Sequence, residues 1–566
     1  MAVAGGLRRL LPQRADWLAA RRAPGRDLLA GATVAVVALP LALAFGVTSG
    51  LGAAAGLVTA VVAGAVAAVF GGSDVQVSGP TGAMTVVLVP VVQRYGAQGV
   101  LMVGLLAGLL LVVLAVARAG RLVRYLPAPV VEGFTAGIAV VIALQQVPAA
   151  LGVVGAHGER VWAVAVDAVL RYVAQPRPAP VVVAVGVAVV MLAGARWRPG
   201  WPFSLVAVAV ATVIVEVAAV DVARIGALPA GLPAPSLGFV DLGAVGVLLP
   251  SALAVAALAA LESLLSATVA DGMTGRRHDP DRELFGQGLA NLAAPLFGGV
   301  PATAAIARTA VNVRAGATSK TAALTHALVL AVVVLAAAPL VGRIPLAALA
   351  GVLLATTARM VQAGTLWALA RATRGDALVL VSTFTVTVVF DLVTAVAVGV
   401  AVAVFVALRA VARAARVERL PVADGGGDDR IVVYRLDGPL VFAAAHDVLP
   451  VLGEVTARQV VVLRMSRVST VDATGAQVLG EVLAGLRGRG VTVLVSGIVP
   501  GHDRVLDAVG AVDRLRREGL VFADAAGALA RARVLVSGQR RSAEVDDQGP
   551  VVGDRRQWGG DGGDRW

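Results

Sequence analysis

"GGVPATAAIARTAVNVRAGA" (298–317) is the stretch on which the reading of this sequence turns. It lies deep in a chain built mostly of alanine, valine and leucine. It holds small or apolar residues, a proline, two threonines, one asparagine and two arginines. No acidic residue within it neutralises Arg308. A cation in an apolar segment with no local counter-charge needs a physical reason, and the rest of the chain supplies one.

The chain has 566 residues, of which 58% are hydrophobic and 15% charged, and its mean hydropathy is +0.84. A soluble domain carries about 25% charged residues. Apolar runs recur from Leu28 to about Val411, each near the ~20 residues that carry a helix across a hydrocarbon core of about 30 Å. This composition indicates a polytopic membrane protein followed by a soluble tail. The net charge of +12 fits basic cytoplasmic loops better than a nucleic-acid partner. Without cysteine there are no disulfides, and the redox compartment stays open. Arg8, Arg9, Arg14, Arg21, Arg22 and Arg26 precede the first apolar run with no convincing cleavage site, so residues 1–26 read as an uncleaved cytoplasmic segment. His157, His278, His326, His446 and His502 are scattered, with no metal or nucleophile constellation around them. An enzyme is therefore not expected, and neither is a cofactor.

Fourteen spans are expected, near 28–49, 51–70, 80–94, 97–117, 128–146, 179–194, 201–219, 248–270, 284–298, 304–316, 321–341, 345–361, 377–390 and 392–410. With the N-terminus inside, the inner loops carry Arg118, Arg121 and Arg124, then Arg196 and Arg198, then Arg276, Arg277 and Arg282. Arg314 and Lys320 follow, then Arg371 and Arg374, then Arg409 and Arg413. The outer loops hold fewer, mainly Arg160, Arg171, Arg177, Arg224 and Arg343, as the positive-inside rule requires. Both termini then lie in the cytoplasm, and residues 159–175 form an outside amphipathic helix.

Two spans are odd in the same way. "VQVSGPTGAMTVVLVP" (75–90) and "GGVPATAAIARTAVNV" (298–313) each begin with an irregular Gly/Pro stretch and continue as a short helical run. They are spans three and ten, and "LPAPVVEGFTAGIAVVIALQQ" and "IPLAALAGVLLATTARMVQ", two spans later, also correspond. An offset of seven, an odd number, inserts the two halves (about 27–220 and 245–415) with opposite orientation. Short interrupted segments at matching places in inverted repeats point to a transporter's midplane site, and broken backbone survives at that depth only where it is buried or lines a cavity.

Two half-helices entering from opposite faces bring both N-termini to the bilayer centre. Each offers unpaired N–H groups and about half a positive charge, which bind anions without a side-chain cation. Pro80 and Pro301 suit early helix positions. Gly79, Gly82, Ala302, Ala304 and Ala305 leave the backbone accessible, and Thr81 and Thr303 add hydroxyls. Arg308, about one turn beyond Ala304, adds positive field at the same place. A visiting anion is thus the partner its neighbours lack. Three plainer readings stand beside this one. Arg308 pairs with a carboxylate on another helix, the small residues serve close helix packing, and the two threonine hydroxyls bond carbonyls one turn back. Arg314 reads as a topology anchor.

Span eight, "SALAVAALAALESLLSATVADG", places Glu262 near its middle, where an isolated charge costs several kcal/mol unless paired or protonated. Such a carboxyl holds a proton or a sodium ion, with Ser263 and Ser266 as neighbouring oxygens. Glu262 either couples anion movement to a cation or makes a fixed salt bridge with Arg308. Asp271 and Glu283 read as interfacial caps, and Glu132 and Glu216 as bystanders.

The stretches "DLLAGATVAVVALPLALAFGVTSGL", "VSGPTGAMTVV", "LPAPVVEGFTAGIAV", "LESLLSATVADGMTGRRHDPDRELFGQGLANLAAPLFGG" and "ATAAIARTAVNVRAGATS" resemble the SulP family of anion transporters. The resemblance runs from about Asp27 to Val536. It implies an anion pocket between spans three and ten, formed here by Gly79, Pro80, Thr81, Gly82, Thr303, Ala304, Ala305, Ile306 and Arg308. It also places Glu262, the candidate coupling residue with Ser266 as its neighbour, beside that pocket, and it implies a homodimer. "ATAAIARTAVNVRAGATS" is especially similar to the bacterial dicarboxylate (succinate and aspartate) transporters of the family. The family's bicarbonate carriers have aspartate where this chain has Glu262 and threonine where it has Ile306, a departure that favours proton over sodium coupling.

After the membrane region, "RIVVYRL", "QVVVLRMS" and "VTVLVSG" are short β-branched runs separated by helical patterns. They indicate a small α/β domain over 429–535 that resembles a STAS domain, a module open to a cytoplasmic regulator. Its "VDATG" puts Thr474 where related sigma-factor antagonists are phosphorylated, and helix capping by Asp472 or Thr474 is the alternative. The segment 538–566 reads as disorder. The expected whole is a cytoplasmic-membrane, proton-coupled symporter of sulfate, a C4-dicarboxylate or a similar anion. A sodium-coupled bicarbonate transporter and an uncoupled anion channel or exchanger are the alternatives.

Overall fold

The computed structural model describes residues 9–18, 23–121, 127–158, 160–198, 201–229, 231–390, 392–421, 430–442, 444–445 and 459–547. Arg124, His446 and the segment 548–566 lie outside them. The chain divides into two compact units, residues 1–403 and 404–566.

Among its described residues, the regular structure of the first unit is helical apart from two strands of two residues each, β1 (Ser78–Gly79) and β2 (Thr303–Ala304). Its main helices are Pro24–Thr48, Ala53–Phe70, Gly82–Val116, Ala128–Leu151, Pro178–Trp197, Phe203–Val217, Val245–Thr274, Pro280–Leu296, Ile306–Arg314, Lys320–Val341, Leu346–Met360 and Arg374–Val389, and Leu392–Ala414 runs on into the second unit. Each of the expected spans coincides with a helix here. The third and fourth share one 35-residue helix that bends where Gly96 takes φ 67° and ψ −170°, a conformation open to glycine because it has no Cβ. Among the described residues, nine helices are long and apolar enough to cross a membrane by themselves. The others are too short for fourteen independent crossings. Ile306–Arg314, with 9 residues, reaches only about 14 Å at 1.5 Å per residue.

The core of this unit is mostly alanine, valine and leucine, small enough for helices to approach closely. Its outside is as apolar as its inside. Val182, Val185, Val213, Ile214, Leu253, Leu328, Val332 and Leu335 are all exposed. A surface of that kind is stable against lipid, not water. The helix Val161–Ala174 leaves Trp162, Val166, Val169, Leu170 and Val173 exposed and buries only Ala165 and Ala168, with Asp167 and Arg171 paired at 2.8 Å. It has the amphipathic form read from residues 159–175.

The segment before the first span is tied down. Leu10 joins the core, and Asp16 on the short helix Arg14–Leu18 pairs with Arg282, whose Nη1 donates to it at 3.0 Å. Arg282, counted in the sequence as a loop charge, is thus an internal partner, its side chain 9% exposed. Burial alone raises the Asp16 carboxyl. The hydrogen bond from Arg282, the Gln13 N–H and the charges of Arg282 and Lys320 outweigh it and hold the group below the usual carboxylate range. A depressed carboxylate contributes stability that is complete above its unfolded pKa and is lost as pH falls through its folded pKa. Asp16→Asn leaves Arg282 buried without its counter-charge. It is expected to cost about 3 kcal/mol, read as a lower thermal unfolding midpoint in detergent, and this loss shrinks in acid, where the parent loses the same interaction.

The second unit is a five-stranded sheet in the order β3 (Arg416–Leu420), β4 (Ile431–Leu440), β5 (Val460–Val471), β6 (Thr492–Ser496), β7 (Val521–Phe522). β3 is antiparallel to β4 and the other pairs are parallel. Val460–Leu463 are fully buried, as a continuous β-branched run in a covered parallel sheet must be. Two boundaries differ from the sequence reading. The sheet takes its first strand from before residue 429, because Arg416–Leu420 completes an edge that local pattern did not reveal. The last helix, Ala525–Asp547, runs past Gly538, so the segment read as disorder from 538 is helical as far as Asp547.

Candidate functional site

The two interrupted segments, more than 200 residues apart in sequence, meet. β1 pairs antiparallel with β2, Ser78 opposite Ala304 and Gly79 opposite Thr303. Thr81 leads into the helix beginning at Gly82, and Ala305 into the helix beginning at Ile306. Because the strands run antiparallel, the two helices leave the crossing in opposite senses with their N-termini beside it. The first intrahelical donors are Thr85 N, to Thr81 O, and Thr309 N, to Ala305 O. The three N–H groups before each have no partner within their helix, as at any helix start. Phe45 and Ile142 close over Gly82, whereas Ile306 and Ala307 are exposed.

Arg308 is 2% exposed. Its Nη2 donates to the Pro80 carbonyl across the crossing, and its Nη1 has no hydrogen-bond partner. Gly79 is what makes room for it. A Cβ there stands 2.6 Å from Nη1, at φ +155°, so a larger residue pushes the guanidinium out of place. No ion pair joins Arg308 to Glu262 among the described residues. The half-buried Glu262 instead accepts from Thr81 Oγ1 at 2.9 Å, which sets the carboxyl beside the first helix start.

The remaining hydroxyls build the frame. Ser263 Oγ lies 2.9 Å from Thr303 Oγ1 and accepts from Ala304 N at 3.3 Å. Thr303 Oγ1 also donates to the Ala259 carbonyl at 3.2 Å, so neither expected threonine bonds a carbonyl one turn back. Ser266, read as an oxygen beside Glu262, donates instead to Thr309 Oγ1 at 3.1 Å. Thr309 in turn accepts from Val77 N. The helix Val245–Thr274 thus grips both interrupted segments through one face.

Sequence reasoning missed part of this frame. Glu283, Gln287 and Asn291 line one face of Pro280–Leu296 at four-residue spacing, a polar stripe that was legible as such. Glu283, expected as an interfacial cap, is 2% exposed and accepts from Gly72 N and Ser73 N, while Asp279 caps that helix. Gln287 donates to Ser78 Oγ at 2.6 Å, and Asn291 exchanges bonds with both backbone groups of Ala302 at 2.8 Å. Gln76 donates to the Ser263 carbonyl and Asn312 to the Val75 carbonyl. Lys320, read as a loop anchor, is 2% exposed and donates to the Gly71 carbonyl at 2.6 Å. Glu216 pairs with Arg224 and Asp271 with His278, away from the crossing.

In the second unit Asp472 caps the helix Ala473–Gly488 by accepting from Gly475 N at 2.7 Å. Thr474 lies exposed in its first turn and leaves the cap to Asp472.

Two opposed helix starts, framed by polar side chains inside a lipid-facing helical bundle, have the form of a membrane carrier, and helix starts are suited to an anion. Residues 25–383 match the sulfate permease family and residues 426–527 the STAS domain. The chain belongs to the sulfate permease (SulP) family and carries a C-terminal STAS domain. It is 34% identical to the "Putative sulfate transporter YvdB" of Bacillus subtilis over 503 residues, 87% of this chain and 95% of that one. It is 32% identical to the bicarbonate transporter BicA of Picosynechococcus over 453 residues, 74% of this chain and 79% of that one. In fold it matches the murine Solute Carrier 26 family member A9 anion transporter in the inward-facing state, with TM-score 0.82 and 18% identity over 94% of this chain and 95% of that one. The protein is a multi-pass membrane anion transporter, and the family and these relatives are transporters rather than enzymes.

Proposed function

We propose that the chain is a secondary active symporter of the cytoplasmic membrane that moves a small oxyanion or carboxylate together with protons. Sulfate is the first candidate, with C4-dicarboxylates and bicarbonate next. The observation that carries this reading is Arg308, buried between two opposed helix starts with no ion pair and one donor nitrogen unpartnered. A buried cation is tolerated when a counter-ion is provided, and here that counter-ion is the cargo. The substrate site comprises the backbone at Gly79–Gly82 and Thr303–Ile306 with Arg308. Glu262, hydrogen-bonded to Thr81, is the coupling group, and Ser266 on the same helix holds the second interrupted segment through Thr309. Fourteen segments in a 7+7 inverted arrangement, the short ones included, return both termini to the cytoplasm. The transporter works as a homodimer, the STAS domain docks a cytoplasmic regulator, and Thr474 is its phosphorylation site. The resemblance read from "ATAAIARTAVNVRAGATS" keeps succinate as a candidate, but the relatives are sulfate and bicarbonate transporters, which supports sulfate first and bicarbonate, with sodium coupling, as the alternative.

Reconstituted vesicles test this directly. Uptake of labelled sulfate is expected to be driven by an inward proton gradient and not by sodium, and to be inhibited by unlabelled sulfate or succinate but not by glucose. Stimulation by sodium with inhibition by bicarbonate alone establishes the alternative. Equal uptake with no gradient establishes a channel or exchanger.

A further inference from the structure

One buried titratable side chain close to the crossing belongs to neither the anion site nor the coupling group. His326, on the helix Lys320–Val341, is fully buried, and neither ring nitrogen has a hydrogen-bond partner. Buried polar groups are almost always satisfied, so a wholly unpartnered imidazole stands out. Its position stands out as well. A Cβ on Gly64 lies 4.0 Å from His326 Nδ1 and 3.3 Å from the Ser78 carbonyl of β1. One turn earlier on the same helix, Ala60 faces the same Gly79 position that touches Arg308 Nη1. Residues four apart on a helix sit about 6 Å apart on one face. The imidazole and the guanidinium are therefore neighbours behind the strand pair.

The charges around the ring are few. The helix Pro24–Thr48 packs its Gly31 against the backbone of Ala322 and His326 and has its ionisable residues at its start, where Asp27 is held by Thr318 and Ser319. The helix Ala53–Phe70 has no ionisable residue, nor has β1. On the ring's own helix, Lys320 is held by the carbonyls of Val69 and Gly71. Arg308 on the second short helix is the charge that faces the ring, with Glu262 beyond it on Thr81.

We propose that His326 is the group that links anion affinity to pH, taking a proton when an anion occupies the crossing at Arg308. Two neighbouring buried cations repel each other strongly. A bound anion cancels the field of Arg308, so the anion favours a proton on the ring, and a proton on the ring favours the anion by the same factor. This inference rests on the anion site proposed above, but it concerns equilibrium binding rather than the driving of transport.

The test uses the full-length protein in nanodiscs, with sulfate, bicarbonate and succinate each as the probe. In the parent, affinity for the preferred anion is expected to rise about tenfold between about pH 8 and pH 5. His326→Gln and His326→Leu are expected to lose that rise while still binding at a pH-independent affinity. Two substitutions of different polarity guard against a folding defect, which thermal unfolding detects. In parallel, nitrogen-15 spectra of the histidine rings, assigned by difference with His326→Gln, are expected to show this ring gaining a proton when the anion is added. A parent-like pH dependence in both variants overturns the proposal, as does a ring that ignores the anion. If instead no probe binds at any pH, it is the anion site itself that fails, and the two failures are separately visible.

Discussion

Arg308→Ala is expected to weaken anion binding about 100-fold and to abolish uptake at concentrations that saturate the parent. A hydrogen bond to a charged group contributes about 1.5–3 kcal/mol, and every 1.4 kcal/mol is about tenfold in affinity. The helix ends that remain still attract an anion, so binding falls without vanishing. Arg308→Lys keeps the charge but loses the planar fork, which here reaches Pro80 O with one nitrogen and offers the other. It is expected to fall between the two, because a lysine ammonium does not reproduce two directed donors. Since Arg308 also ties the strands together through that carbonyl, both variants need a thermal unfolding midpoint close to the parent's before affinity is read. Parent-like affinity in a folded Arg308→Ala protein makes the arginine a structural tie and removes the main support for the proposed site.

Glu262→Gln has the second large effect, on driving force rather than on affinity. The amide keeps the size of the carboxyl and still accepts from Thr81 Oγ1, the contact seen at 2.9 Å, but it neither takes up nor releases a proton. A proton gradient is then expected to lose its ability to accumulate sulfate in vesicles, with uptake at acid outside pH down about tenfold, the factor that one pH unit of driving force supplies to a one-proton symport. Sulfate-for-sulfate exchange is expected to fall much less. Proton-driven accumulation equal to the parent's excludes Glu262 as the coupling group. The hydrogen bond explains why the carboxyl is well placed for this role. Thr81 immediately precedes the helix that begins at Gly82, so a change of charge at Glu262 is felt at the anion site through one hydroxyl.

These residues show which parts of the protein were readable and which were not. The membrane class, the helix positions and the two interrupted segments are written in contiguous signals: long apolar runs, Gly/Pro breaks and an arginine without an acidic neighbour. The β-branched runs of the second unit are equally local. The polar stripe Glu283–Gln287–Asn291 belonged to the same kind of signal and was overlooked among interfacial charges.

What tertiary structure alone decided is which groups meet. Glu262 and Thr81 are 181 positions apart, and Arg308 and Pro80 are 228 apart. From sequence, Glu262 and Arg308 were as good a pair for each other. The packing of Val245–Thr274 against both interrupted segments gave the carboxylate's hydrogen bond to a hydroxyl and left the guanidinium with no ion pair among the described residues. The same packing set an unpartnered imidazole beside it and turned Lys320 from a loop charge into a buried donor. Hydropathy and backbone breaks depend on neighbours along the chain, so composition alone carries them. The pairing of buried charges depends on which faces of distant helices touch, and that is settled only once the whole bundle has closed.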